Sequence, residues 1–227
     1  MLSILKSIAS ILLSHGLLLL ANGMFGTLLG IRASLEAIAT EITGLIMAGF
    51  FLGLLFGSRY AIRVIASVGH IRAFAAFASI MSVSVLTHIL YIDALTWFFM
   101  RVMSGFCMAG MIMIVESWLN ERAENKTRGR ILSIYMMTNY FGAGAGQFVL
   151  LVANPADFQL FVIVSIIFSI ALVPILLTRA KAPKLNSLAR IQLNELIRIS
   201  PLGIMGIICA GMMNASILTM GALFAAG

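Results

Sequence analysis

Basic residues alternate along this chain in a way that only a membrane protein explains. The sequence has seven long apolar runs, and thirteen of its fifteen Lys and Arg residues lie at the N-terminus or in every second gap between the runs. Short loops on the cytoplasmic side of a membrane carry such an excess of positive charge. With 61% hydrophobic and 10% charged residues, the chain also has too little polar surface for a water-soluble globule. The pattern predicts an integral membrane protein.

Each apolar run is long enough to cross the hydrocarbon core as a helix, which takes roughly 20 residues. We therefore expect an all-α, polytopic helical membrane protein with seven transmembrane helices. The expected spans are residues 8–29, 38–57, 73–92, 95–119, 131–152, 158–177 and 201–226.

The distribution of charge predicts the orientation of these helices. The basic residues that we assign to the cytoplasmic side are Lys6, Arg59, Arg63, Arg72, Arg122, Lys126, Arg128, Arg130, Arg179, Lys181, Lys184, Arg190 and Arg198. The opposite gaps hold Arg32 as their only base, so the N-terminus is expected inside and the end of the seventh helix outside. Because the bases lie in short loops and form no continuous face, we expect the lipid bilayer as a partner and no nucleic acid.

Two ionisable residues lie within the fourth apolar run, where a charge at mid-depth costs about 2.5–3.5 kcal/mol. Arg101 lies about 9 Å along the helix from its outer end, so it either snorkels to the outer head groups or holds carbonyls or an anionic substrate group. Glu116 lies about 22 Å further along, too far to pair with Arg101. It either faces water or forms a gating ion pair with Arg128, Arg130 or a base after helix two.

Other polar residues of the spans are candidates for a path through the protein. His15 and Asn22 lie on much the same face of helix one, and a buried His is able to carry a coupling proton. The alternative for His15 is a neutral ring bonded to a neighbouring helix. Helix five is the most polar of the later spans, and we expect at least one of Asn139, Tyr140 and Gln147 to face a water-filled cavity. Glycine stripes on helices two (residues 49, 53 and 57) and five (142, 144 and 146) indicate close helix packing.

Several short motifs occur in an order that resembles the major facilitator superfamily. Arg101 and Gly105 match the Arg-x-x-x-Gly signature of that family's fourth helix. A degenerate form of the family's basic loop between helices two and three is made by Gly53, Arg59, Arg63, Gly69 and Arg72. Glu116, followed by Arg128 and Arg130, is similar to the inner end of helix four and the next loop in one branch of bacterial permeases.

The resemblance implies a six-helix N-terminal bundle at residues 1–178, built from two inverted three-helix repeats. A cytoplasmic linker with an interfacial helix, capped by Ser187, then covers 179–200, and helix seven at 201–227 begins an incomplete C-terminal half. In this arrangement helices one and four line the central path, which places His15 and Arg101 there. The chain departs from the family where Gly57 and Ser58 replace an expected Asp. It also has seven expected helices where the family has twelve, so we expect a truncated product, a fragment, or a half that pairs with a second chain.

The resemblance further implies a secondary active permease of the bacterial inner membrane that moves a small solute, in uptake or efflux, by proton-coupled alternating access. The expected substrate and proton path comprises His15, Asn22, Arg101, Asn139 and Gln147. The expected cytoplasmic gating motif comprises Gly53, Arg59, Arg63, Gly69, Arg72, Glu116, Arg128 and Arg130. We expect no enzyme activity, metal or cofactor, since no nucleotide-binding loop is present and the His and Asp residues are scattered. The alternatives are a membrane-embedded enzyme and a seven-helix sensor or receptor.

Overall fold

Long helices make up almost all of the described part of the chain. The computed structural model describes residues 2–178 and 197–226, with side chains described for 8–178 and 197–213. The helices are α1 (Leu2–Leu35), α2 (Thr40–Val68), α3 (His70–Leu90), α4 (Ala94–Arg122), α5 (Arg128–Val149), α6 (Gln159–Leu176) and α7 (Pro201–Ala226), with one 3₁₀ turn at Leu150–Val152. The described residues contain no strand, which confirms the all-α expectation. Most of the expected linker, including Ser187 and most of the interfacial helix, lies outside the described residues; residues 197–199 near the end of the linker are helical.

Five helices in the described part of the chain are long and apolar enough to cross a membrane. They are Ile8–Leu35, Thr40–Val68, His70–Leu90, Ala94–Arg122 and Gln159–Leu176. Helix α5 has 22 residues but is not among the five, because Asn139, Gln147 and its glycines lower its hydropathy. The chain is therefore a multi-pass membrane protein.

Helix α2 extends beyond its expected end at residue 57 and continues to Val68. The extension is amphipathic, since Ala61 and Ile65 stay buried one turn apart while Arg59 and Arg63 are exposed. The expected loop between helices two and three is thereby reduced to Gly69, whose φ of +86° favours glycine. The boundary placed at residue 57 was wrong because the apolar stripe continues past the first arginine.

The helices pack in a pattern with internal symmetry. Helix α2 packs on α4 and α1 on α5, while α3 packs on α4, α1 on α6, and α3 on α6. When α1, α2 and α3 are exchanged with α4, α5 and α6, respectively, the same set of packed pairs results. Two inverted three-helix repeats produce the same relation. Helix α7 lies beside α1.

Glycines allow two of these pairs to approach closely. A Cβ on Gly53 of α2 would meet the backbone of Val102 of α4, and a Cβ on Gly146 of α5 would meet the backbone of Leu20 of α1. Gly144 has no neighbour within 4 Å of such a Cβ. The packing interpretation of the two glycine stripes is therefore confirmed at Gly53 and Gly146 and is wrong for Gly144.

Candidate functional site

His15 lies inside the bundle, on the part of α1 that faces α5. Its side chain is buried, and its Nε2 lies 2.5 Å from Oδ1 of Asn139. Its ring stacks on that of Tyr135, with centroids 4.8 Å apart and planes inclined by 23°. Its Nδ1 is buried and has no hydrogen-bond partner among the described residues. The ring is thus fixed on one edge and open at the other.

Tyr135 connects His15 to the C-terminal end of α4. Its hydroxyl donates a hydrogen bond of 3.0 Å to Oε1 of Glu116, which is exposed. Asn139, which holds His15, follows Tyr135 by four residues on α5, and its Nδ2 donates to Sδ of Met136 at 3.9 Å. We call these four residues, Glu116, Tyr135, Asn139 and His15, the polar chain. It leads from an exposed carboxylate on α4, across α5, to a buried imidazole on α1.

A cavity opens beside Glu116, the exposed end of the polar chain. It has a volume of about 280 Å³ and is lined by Glu116, Asn120, Arg128 and Tyr135 together with apolar side chains. Glu116 and Arg128 face the same cavity, yet in the described part of the chain Glu116 forms no ion pair with Arg128 or Arg130. Of the two alternatives for Glu116, the structure therefore favours the water-facing carboxylate, with Tyr135 as its hydrogen-bond donor.

Arg101 points into the bundle, which excludes the snorkelling alternative in this structure. Its side chain is 3% exposed. Its Cζ lies 4.6 Å from the ring centre of Phe50 on α2 and 5.5 Å from that of Phe25 on α1. Its Nε and Nη1 are buried without a hydrogen-bond partner among the described residues, so it clamps no carbonyl through either atom. The aromatic faces stabilise the cation but leave these N–H groups free.

A cluster beside Arg101 was missed by the sequence reasoning. His88 is fully buried, and its Nδ1 lies 2.7 Å from the carbonyl oxygen of Ser84. Phe25 presents its ring to His88 in an edge-to-face contact at 5.2 Å. Trp97 donates to the carbonyl oxygens of His88 and Tyr91, at 3.0 and 2.9 Å. The Trp97 indole thereby covers the end of α3. This contact could not be predicted from the sequence.

Tyr135 was also missed, although the sequence contains a signal for it. It precedes Asn139 by four residues, a spacing that places both side chains on one face of α5. The remaining path candidates lie apart from the polar chain. Gln147 donates to the carbonyl oxygen of Gly23 at 3.0 Å and so ties α5 to α1. Oδ1 of Asn22 is buried and has no partner among the described residues.

The residues of the expected gating motif lie in two different environments. Gly53 is buried between α2 and α4, where it serves close packing. The basic residues are exposed near the C-terminal end of α2 and the N-terminal ends of α3 and α5; they are Arg59, Arg63, Arg72, Arg128 and Arg130. Arg63 lies over the ring of Tyr60, with Cζ 5.1 Å from its centre. His70, next to Gly69, lies 3.4 Å from the hydroxyl of Ser117 and so connects α3 to α4.

Comparison with known proteins identifies the family. The sequence model of the Major Facilitator Superfamily matches residues 11–227. The chain belongs to this superfamily. It is 27% identical over 211 residues to an uncharacterized MFS-type transporter of Yersinia enterocolitica, covering 91% of this chain and 55% of the relative. It is 26% identical over 220 residues to the uncharacterized MFS-type transporter YcaD of Escherichia coli, covering 94% of this chain and 57% of the relative.

Because the chain belongs to this superfamily, it is a membrane protein of a transporter family. It spans about half the length of the curated relatives it matches. No solved structure gives a significant match.

Proposed function

We propose that this chain forms one half of a secondary active transporter that moves a small solute by proton-coupled alternating access. The observation that carries the proposal is a pair of buried ionisable side chains, His15 on α1 and Arg101 on α4, each with polar atoms that have no partner among the described residues. Such groups destabilise an apolar bundle, so they are retained where they serve transport. Family membership supports the same function.

The residues of the proposed substrate and proton path have different chemical roles. His15 is the proposed site of the coupling proton, held in place by Asn139. Arg101 is the proposed contact for an acceptor group of the solute, since its buried N–H groups are free donors. Asn22 offers a buried acceptor oxygen to the same path. Gln147 maintains the contact between α1 and α5.

The exposed charges at the inner helix ends are the proposed cytoplasmic gate. The bases are Arg59, Arg63, Arg72, Arg128 and Arg130, and Glu116 is the nearby acid. We propose that they form ion pairs with a second six-helix half when the inner side closes. Gly69 gives the short turn that holds Arg72 at this surface.

The proposed transporting unit comprises more than the described bundle. Because the relatives are almost twice as long as the matched region, we propose that residues 1–178 form the N-terminal bundle, with 179–200 as linker and 201–227 as the start of a second half. A continuation of the chain or a partner chain would supply the rest. The basic gaps support a cytoplasmic N-terminus and a place in a bacterial inner membrane.

Arg101 provides the test of this proposal. In membrane vesicles that carry the transporting unit, Arg101→Ala should abolish movement of any solute that the wild type transports, while membrane insertion stays intact. Arg101→Lys should restore it only in part, because an ammonium lacks the planar fork of donors. Accumulation of a panel of labelled solutes would be measured.

Arg32 offers the matched control, because this arginine near the C-terminal end of α1 is already paired, with Glu36 and with the carbonyl oxygen of Ala156. Arg32→Ala should leave most transport in place. Wild-type rates in the Arg101→Ala vesicles would refute a role for Arg101 in the transport cycle.

A further inference from the structure

Both ends of the Asn139 amide have a partner, and together these partners fix which end faces His15. Its Nδ2 donates to Sδ of Met136 at 3.9 Å, while its Oδ1 lies 2.5 Å from Nε2 of His15. A thioether sulfur is a weak acceptor and has no hydrogen to donate. A rotated amide would place its oxygen against that sulfur, where two acceptors meet and no hydrogen bond forms. The amide therefore presents its oxygen to His15.

The amide oxygen of Asn139 determines where the imidazole of His15 carries its hydrogen. An amide oxygen only accepts hydrogen bonds, so Nε2 of His15 must be the donor. In a neutral ring with its hydrogen on Nε2, Nδ1 holds the lone pair. Nδ1 is buried and has no partner among the described residues. The basic atom of His15 is therefore defined before any proton arrives.

Protonation of His15 at Nδ1 preserves the contacts that hold the ring. An imidazolium donates from both nitrogens, so the bond from Nε2 to Asn139 remains. Tyr135 stays stacked on the ring, with centroids 4.8 Å apart, and an aromatic face also stabilises a cation. The titratable groups that the described contacts bring to this ring are Tyr135 itself and Glu116, which accepts the hydroxyl hydrogen of Tyr135. Proton uptake therefore changes the free edge of the imidazole from an acceptor to a donor and leaves the bonded edge as it was.

We propose that Asn139 is a positioning residue that sets the tautomer of His15 through their direct hydrogen bond, so that Nδ1 is the atom that takes up the coupling proton. The proton assignment rests on the proposed function. In this step a proton from water forms an N–H bond at Nδ1 and gives an imidazolium. Return of that proton to water restores the neutral ring, and no other reactant is consumed.

The tautomer of His15 can be read directly by nitrogen NMR. The chain would be labelled with ¹⁵N-histidine in lipid nanodiscs at a pH where the ring is neutral, and His15 identified as the signal lost in His15→Gln. In the wild type we expect one tautomer with the hydrogen on Nε2. Asn139→Leu keeps a side chain of similar size but removes the acceptor, so a second signal, with the hydrogen on Nδ1, should appear.

Asn139→Asp separates the acceptor role from packing. A carboxylate also accepts without donating, so this variant should retain the single tautomer with the hydrogen on Nε2. Its ring should also stay protonated to a higher pH than in the wild type, because an opposite charge then lies beside it. A neutral His15 with its hydrogen on Nδ1 in this variant would contradict the acceptor role.

Gln147→Leu is the matched control, because it makes the same kind of change on α5 and removes another amide contact with α1, the bond to the carbonyl oxygen of Gly23. It should leave a single tautomer of His15. A wild-type ring with its hydrogen on Nδ1, a tautomer that stays unchanged in Asn139→Leu, or the same mixture in Gln147→Leu would overturn the proposal. This spectrum does not depend on transport, so a failure of proton coupling in vesicles is recognised separately from a failure of the Asn139 assignment.

Discussion

At the scale of single residues, burial separates the functional candidates from the ordinary charges. Arg101 and His15 are both buried, whereas most arginines near the helix ends are exposed; the exposed ones are Arg59, Arg63, Arg72, Arg128 and Arg130. Arg101 was recognisable from the sequence because it interrupts an apolar run. Its aromatic neighbours Phe25 and Phe50 were not, because they come from two other helices and their contact depends on tertiary packing.

Asp93 gives a residue-scale prediction about pH. Its carboxylate caps α4 by accepting hydrogen bonds from the backbone N–H and the hydroxyl of Thr96, and the backbone bond is the main cause that lowers the pKa of Asp93. A lowered pKa in the folded state means that the carboxylate stabilises the fold at neutral pH and that this contribution is lost as the pH falls through the lowered value.

Asp93→Asn should therefore remove part of the loss of thermal stability that the wild type shows on acidification. Melting curves at neutral and acidic pH, recorded for both proteins in the same detergent, measure this difference. Identical pH dependence in the two proteins would show that the cap does not contribute.

At the scale of helices, small residues decide which faces meet. The spacing of the glycines in α2 and α5 predicted close packing, but the sequence did not tell which helix each stripe would contact. The structure pairs α2 with α4 and α5 with α1. The end of α2 was also missed, because charged residues on one face hid the apolar stripe that continues through Ala61 and Ile65.

Two glycines of α5 give a prediction with an internal control. Gly146→Ala places a methyl group against the backbone of Leu20 and Met24 and should destabilise the bundle by about 1–3 kcal/mol. Gly144→Ala meets no atom within 4 Å and should be neutral or stabilising by up to about 1 kcal/mol through helix propensity. Unfolding in mixed detergent measures both, and equal stabilities would contradict the packing described for α1 and α5.

At the scale of the whole molecule, the charge pattern of the sequence and the packing of the helices agree on a multi-pass membrane protein. The alternating bases predicted the membrane and the orientation, and the motif order predicted the superfamily that the comparisons confirm. The polar chain joins α1, α4 and α5, so it was beyond sequence reasoning even though three of its four members were already candidates. Only the three-dimensional packing brings an exposed acid on α4 into contact with the residues that hold His15.

Proton movement tests the central proposal most directly. Vesicles that hold the transporting unit and a trapped pH-sensitive dye would be exposed to a panel of small solutes, with His70→Gln as the control for His15→Gln. A transported solute should change the internal pH in the wild type and in His70→Gln, and should leave it unchanged in His15→Gln. Solute transport without proton movement in the wild type, or undiminished proton movement in His15→Gln, would contradict the proposed coupling at His15.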